Sequence, residues 1–132
     1  MKHTHHLLVH NLFKILAFLW TLLIFYLCLD DSPNVPKINI QYKDKVVHFI
    51  FYFVFVYFWT KSLKNKYINY LLIILLLALT IGITIEFLQE NYTNHRTFDW
   101  YDILANTLGA IASFIYVKKF YAIKNEFKIS LW

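Results

Sequence analysis

Apolar residues run along this chain in four long blocks, at residues 12–29, 46–60, 67–88 and 101–117, separated by short stretches that hold most of the charge. The third block has roughly the 20 residues that a 30 Å hydrocarbon layer demands at a helical rise of 1.5 Å per residue. The first reaches spanning length if Lys14 extends its stem and leaves its amine at the headgroups. The second and fourth hold only about 15 strictly apolar positions, so their polar first turns must reach into the membrane boundary, or the bilayer must thin there. The pattern predicts an all-α, polytopic membrane protein with four transmembrane helices in a compact bundle.

Composition agrees with lipid as the solvent: 59% of the 132 residues are apolar and 20% aromatic, more than a small soluble domain needs for its core. Gly82, Gly109, Pro33 and Pro36 are the only glycines and prolines, and no internal repeat, linker or second domain is visible, so residues 1–132 read as one membrane domain. Cys28 lies alone in an apolar run, which removes disulfides from the account. The basic start followed by an apolar run resembles a signal peptide, but no small-residue cleavage site follows Leu29, so an uncleaved first span is expected.

Charge changes the picture by setting orientation. Lys2, Lys14, Lys61, Lys64, Lys66, Lys118, Lys119, Lys124 and Lys128 flank one side of the blocks, against Lys37, Lys43, Lys45 and Arg96 on the other. Positive residues are retained in the cytoplasm, so both termini are expected there. Asp30, Asp31, Asp44, Glu86, Glu90, Asp99 and Asp102 then lie outside, leaving Glu126 within. The formal net charge of +5 is thus a topology signal. It does not argue for nucleic acid, because the basic residues sit at span ends rather than on one exposed face. His3, His5, His6 and His10 read as a solvated tail or a loose metal-binding end, and the stretch 120–132 as a helix in the inner headgroup layer or a plain tail.

The outer ends of the blocks carry the candidate chemistry. On a helix, residues three and four apart share a face, which groups Asp44, His48 and Tyr52 in the second block, Gly82, Glu86 and Gln89 in the third, and Asp99, Asp102, Asn106 and Gly109 in the fourth. A short connection makes the third and fourth helices antiparallel neighbours. Glu86 and Asp102 can then approach where Gly82, Gly109 and Ser113 allow close contact, with Arg96 folding over both.

These same residues carry a family resemblance. The run DKVVHFIFY from Asp44 to Tyr52 resembles the Asp-Lys-x-x-His-Phe opening of VanZ-like membrane proteins. Gly82, Glu86, Gln89, Arg96, Asp99, Asp102, Asn106 and Gly109 follow the order and near-spacing of that family's second half, with Ser113 where many relatives carry a glycine. The resemblance covers a core of about residues 38–117. It implies a small bacterial inner-membrane protein of the cell envelope. The family's namesake is linked to low-level resistance to teicoplanin, an antibiotic that targets lipid-linked cell-wall precursor at the outer membrane face.

Each cluster residue has a plain explanation beside the functional one. Asp44, Asp99 and Asp102 stand at helix starts, where a carboxylate caps free N–H groups. Glu86 stands near a helix C-terminus, where the dipole repels it, and at the edge of lipid, so a proton, a cation such as Lys45 or Arg96, or a bound ion must neutralise it. At an effective dielectric near 20, a pair about 4 Å apart attracts by roughly 4 kcal/mol, enough to offset placing one charge at that depth. A purely structural network of Glu86, Lys45 and Arg96 would then only lock the helices.

The functional reading makes His48, Glu86 and Asp102 the candidates for acid–base work. Asp44, Lys45, Gln89, Arg96, Asp99 and Asn106 would form the binding residues, Lys45 and Arg96 holding an anionic group such as phosphate. The expected ligand is an anionic lipid or a lipid-linked cell-wall intermediate at the outer leaflet, bound and open to modification. No nucleophile elbow, phosphate loop or paired metal motif occurs, so no cofactor and no metal is assigned. A site built from His48, Glu86, Asp99 and Asp102 would nonetheless be chemically able to hold an oxygen-preferring ion. A transporter fits less well, because the inner halves of the blocks offer little but tyrosines and Ser113.

Overall fold

The computed structural model describes residues 2–30, 43–63, 68–93 and 97–129, with the side chains of residues 8–30, 43–63, 68–93 and 97–120. Four helices follow one another: α1 (Lys2–Leu29), α2 (Lys43–Ser62), α3 (Ile68–Tyr92) and α4 (Trp100–Ile129). Each apolar block became a helix, and each helix outruns its block. α4 in particular continues unbroken into the stretch expected to lie in the headgroup layer, so that stretch up to Ile129 extends the span axis rather than forming a separate element. Pro33, Pro36, Lys37, Lys64, Lys66 and Arg96 lie outside the described residues, as do the side chains of His3, His5 and His6.

Three helices are long and apolar enough to cross a membrane, over Leu8–Leu29, Ile68–Tyr92 and Trp100–Phe120. α2 has 20 residues, but Lys43, Asp44, Lys45 and Lys61 occupy its ends and tyrosine, tryptophan and threonine dilute its apolar stretch. The outward faces explain why lipid suits the assembly: Leu12, Phe18, Leu76, Phe87, Leu108 and Ile115 are each at least half exposed. In water such continuous apolar surface would drive association. A groove lined by Ile83, Thr84, Phe87, Leu88, Asn91 and Tyr92 belongs to this outer surface of α3.

Side-chain contacts fix the arrangement. Phe13 meets Tyr57 and Phe58, while Trp20 meets Phe51 and donates to its carbonyl at 2.9 Å, so α1 runs antiparallel to α2. α2 and α4 run parallel: Lys45 pairs with Asp102, His48 with Asn106, and Phe53 with Tyr116. α2 packs on all three other helices, and its contact with α4 is the most extensive in the bundle. The interior is apolar, with Ile24, Tyr52, Phe55, Val56, Ala78, Ile85 and Ala110 buried together.

Gly109 makes the tight α2–α4 contact possible. A Cβ there would stand 2.1 Å from the carbonyl oxygen of Phe49, so only a glycine lets the two backbones meet. This corrects the expected role of Gly109 in an α3–α4 contact. Gly82 does serve that contact, facing Asn106 and also Tyr52.

Candidate functional site

The C-terminal end of α1, the start of α2, the end of α3 and the start of α4 meet at one end of the bundle, and they bring most of the predicted polar residues together. Lys45 is its hub. Its Nζ donates to Asp44 Oδ2 at 2.8 Å, to Asp99 Oδ2 at 2.5 Å and to Asp102 Oδ1 at 2.7 Å. Burial opposes the charge on Lys45, but the bonds to Asp102, Asp44 and Asp99 outweigh it and raise its pKa above the ordinary lysine value. The Lys45 ammonium conversely holds Asp99 below the usual carboxylate range. At Asp44 partial burial works upward, yet the bonds from Lys45 prevail and hold that carboxyl down as well.

This geometry revises two expectations. Lys45 was expected to hold an external anion, but three carboxylates already saturate its three N–H bonds. Lys45 was also a candidate partner for Glu86, and among the described residues Glu86 has no lysine or arginine within ion-pair distance. Asp99 does cap α4, its Oδ1 accepting from the Tyr101 N–H at 2.8 Å, while its other oxygen meets Lys45. One side chain thus performs both the plain and the network role.

One turn deeper lies a second, drier group. His48 Nδ1 stands 3.0 Å from Asn106 Oδ1, and an amide oxygen can only accept, so Nδ1 carries the proton and donates in this pairing. Its ring stands 3.9 Å from Glu86 Oε1 at Nδ1 and 3.9 Å from Asp102 Oδ2 at Nε2. These distances allow ion pairing with a protonated imidazole but exceed a hydrogen bond. Glu86 is 0% exposed. Its Oε2 accepts one long bond, 3.3 Å, from the Asp99 backbone N–H, and its Oε1 has no hydrogen-bond partner among the described residues. Burying such an oxygen unsatisfied costs on the order of 1–3 kcal/mol, more when it is charged.

Gln89 departs from the cluster. Its Nε2 donates at 2.8 Å to the Cys28 carbonyl, one of the last-turn carbonyls that α1 cannot satisfy internally, so it ties α3 to α1. Tyr52 was grouped with His48 on one helical face but not counted as a site residue. It is buried beside Gly82 with its hydroxyl, like Asn106 Nδ2, unpartnered among the described residues. The face-sharing of Asp44, His48 and Tyr52 was the signal that pointed to it. Arg96 lies outside the described residues.

Comparison with known proteins adds the family. The VanZ/LLP1 family model matches residues 2–122, which takes in α1 as well as the later helices. An uncharacterized protein of the fission yeast Schizosaccharomyces pombe is 36% identical over 98 residues, covering 73% of this chain and 57% of that protein. The chain therefore spans a little over half the length of this relative. No solved structure matches.

Proposed function

Because the chain belongs to the VanZ/LLP1 family, we propose that it is a four-span membrane protein whose polar end binds, and is equipped to modify, the head group of an anionic lipid or a lipid-linked cell-wall intermediate. α2 supplies the fourth crossing. Its charged ends would sit at the two boundaries, and its parallel packing against α4 favours the same depth for both. The lysine asymmetry supports termini in the cytoplasm and the cluster at the outer leaflet, and the family resemblance supports a bacterial inner membrane.

The observation that carries this reading is His48, buried between Glu86 and Asp102 at 3.9 Å from each, at the mouth of a lipid-facing bundle. An imidazole between two carboxylates can accept a proton from a head-group hydroxyl or water and return it to a leaving oxygen. With Lys45 engaged by its aspartates, the role of holding phosphate passes to Arg96, and Lys45 positions Asp102 instead. Similarity to a eukaryotic protein favours a group common to many membranes, phosphate above all, over one confined to bacterial walls.

A second reading has its own support. The three-way bond of Lys45 joins the start of α2 to the start of α4, which is what a helix lock in an accessory subunit would require. The two readings separate in a sensitive bacterial host that expresses wild type or Glu86→Gln at matched membrane levels, scored for teicoplanin susceptibility. Protection by wild type and its loss in Glu86→Gln supports a site acting on cell-wall lipid. Equal susceptibility with and without the protein removes the glycopeptide role, and failure of Glu86→Gln to reach matched levels favours the lock.

A further inference from the structure

Around the described cluster stand four carboxylates, Asp44, Glu86, Asp99 and Asp102, and one ammonium. Lys45 neutralises the outer part: it fills the space among Asp44, Asp99 and Asp102, the three whose oxygens lie close enough to hold an ion. Among the described residues nothing comparable fills the inner part. His48, Glu86 and Asp102, all buried and each on a different helix, offer one nitrogen and two oxygens within 4.8 Å of one another.

Several details of that inner group fit ligation better than a chance gathering. Glu86 Oε1 is wholly buried, unpartnered among the described residues, and beside the imidazole, 3.9 Å from its Nδ1. Asp102 divides its oxygens, Oδ1 to Lys45 and Oδ2 toward His48 Nε2 at 3.9 Å. Two ligands bound at about 2.0–2.2 Å to one ion stand roughly 3–4 Å apart; Nε2 and Asp102 Oδ2 already lie 3.9 Å apart, and Glu86 Oε1 joins them by a side-chain adjustment that carries it from the Nδ1 edge of the ring to the Nε2 edge. The ring is also oriented as a ligand is: Asn106 Oδ1 accepts from Nδ1 at 3.0 Å, which leaves the Nε2 lone pair free.

We propose that His48, Glu86 and Asp102 form a divalent-metal site for a first-row ion of the Zn²⁺ or Mn²⁺ type, with Asn106 and Lys45 orienting its ligands. One imidazole with two carboxylates is a harder set than thiolate zinc sites and a softer one than the all-oxygen sites of Ca²⁺ and Mg²⁺. Three protein ligands leave a position open to water or a phosphate oxygen, the pattern of metal sites that act rather than only brace. The metal reverses the charge balance of the cluster, so an anionic head group could approach where four carboxylates would otherwise repel it. This deepens the proposed lipid-head-group reading, with His48 serving as a metal ligand in place of a proton acceptor, and rests on it for its purpose, but not for its test.

The test uses the full chain in detergent, stripped with chelator, with His3, His5 and His6 replaced by alanine so that the N-terminal histidines do not compete. Titration with Zn²⁺ or Mn²⁺ is followed by calorimetry and by elemental analysis after desalting. One equivalent per chain is expected, with affinity lowered at least 100-fold in His48→Ala and in Glu86→Gln and 10–100-fold in Asn106→Leu. Wild type also reports without any ligand variant, because Co²⁺ at a nitrogen–oxygen site gives visible absorption bands that Zn²⁺ displaces. Absence of saturable binding and of those bands in the folded chain overturns the proposal, as does unchanged affinity in folded Glu86→Gln. Metal binding without any effect on lipid would leave this site standing and remove the lipid reading.

Discussion

The Nδ1 of His48 and the side-chain oxygen of Asn106 lie 3.0 Å apart, joining α2 to α4 inside the bundle. Because the amide oxygen only accepts, the pair fixes which ring nitrogen is protonated and aims the other at Asp102. Asn106→Leu removes the acceptor and leaves a buried N–H unpaired, an expected loss of about 1–3 kcal/mol in reversible SDS unfolding. Asn106→Asp, which keeps an acceptor for that N–H, should retain more of the stability in the same assay than Asn106→Leu.

Lys45 holds three aspartates with bonds of 2.5–2.8 Å while largely shielded from solvent. Lys45→Met keeps the aliphatic stem and leaves the carboxylates facing one another. An expected destabilisation of about 2–3 kcal/mol follows, because removing one member of a partly buried network strands the rest. Unfolding of the purified variant measures it. A companion Asp99→Asn should recover part of that loss by relieving the repulsion.

The same network sets a pH dependence. Asp44 and Asp99 have lowered pKa values in the folded chain, so their contribution is present above the ordinary carboxylate range and fades as pH falls through their folded values. Lys45 is raised, so its contribution is complete below the ordinary lysine value and fades as pH rises through the folded one. Melting temperature should therefore fall below about pH 4 and again in strong alkali. In Lys45→Met the alkaline limb attributable to this lysine disappears and the acid limb flattens.

The two glycines should respond very differently to the same change. A Cβ at Gly109 meets the Phe49 backbone at 2.1 Å, and neither helix can yield without parting, so Gly109→Ala is expected to cost about 3 kcal/mol or to prevent assembly. At Gly82 the nearest atoms are 3.3–3.4 Å away and belong to the side chains of Asn106 and Tyr52. Alanine gains about 1 kcal/mol in helix propensity, which offsets the crowding and leaves Gly82→Ala near neutral. Parallel unfolding of both variants compares them.

The helices were legible because lipid imposes one rule on every span: enough consecutive apolar residues to satisfy the backbone internally. Face-sharing then grouped Asp44, His48 and Tyr52 from spacing alone, and the short connection between the third and fourth blocks brought Glu86 near Asp102. Partner choice between helices was not legible, since spacing shows which residues share a face but not which helix that face meets. Gly109 thus proved to serve α2 rather than α3, and Gln89 to reach Cys28 on α1 rather than the cluster. Lys45 was misjudged for a related reason: a lone cation at a span end suggests an external anion until three carboxylates are seen converging on it.

The central claim is that the buried His48–Glu86–Asp102 group works on a lipid head group rather than merely joining helices. The most direct measurement is the lipid head-group profile, by mass spectrometry, of membranes and of purified protein from cells making wild type or Glu86→Gln at matched abundance. The account predicts that a specific anionic lipid co-purifies with wild type or changes in amount with its expression, and that Glu86→Gln, folded and equally abundant, loses that effect. Identical profiles from both, with the protein folded in each, would contradict it.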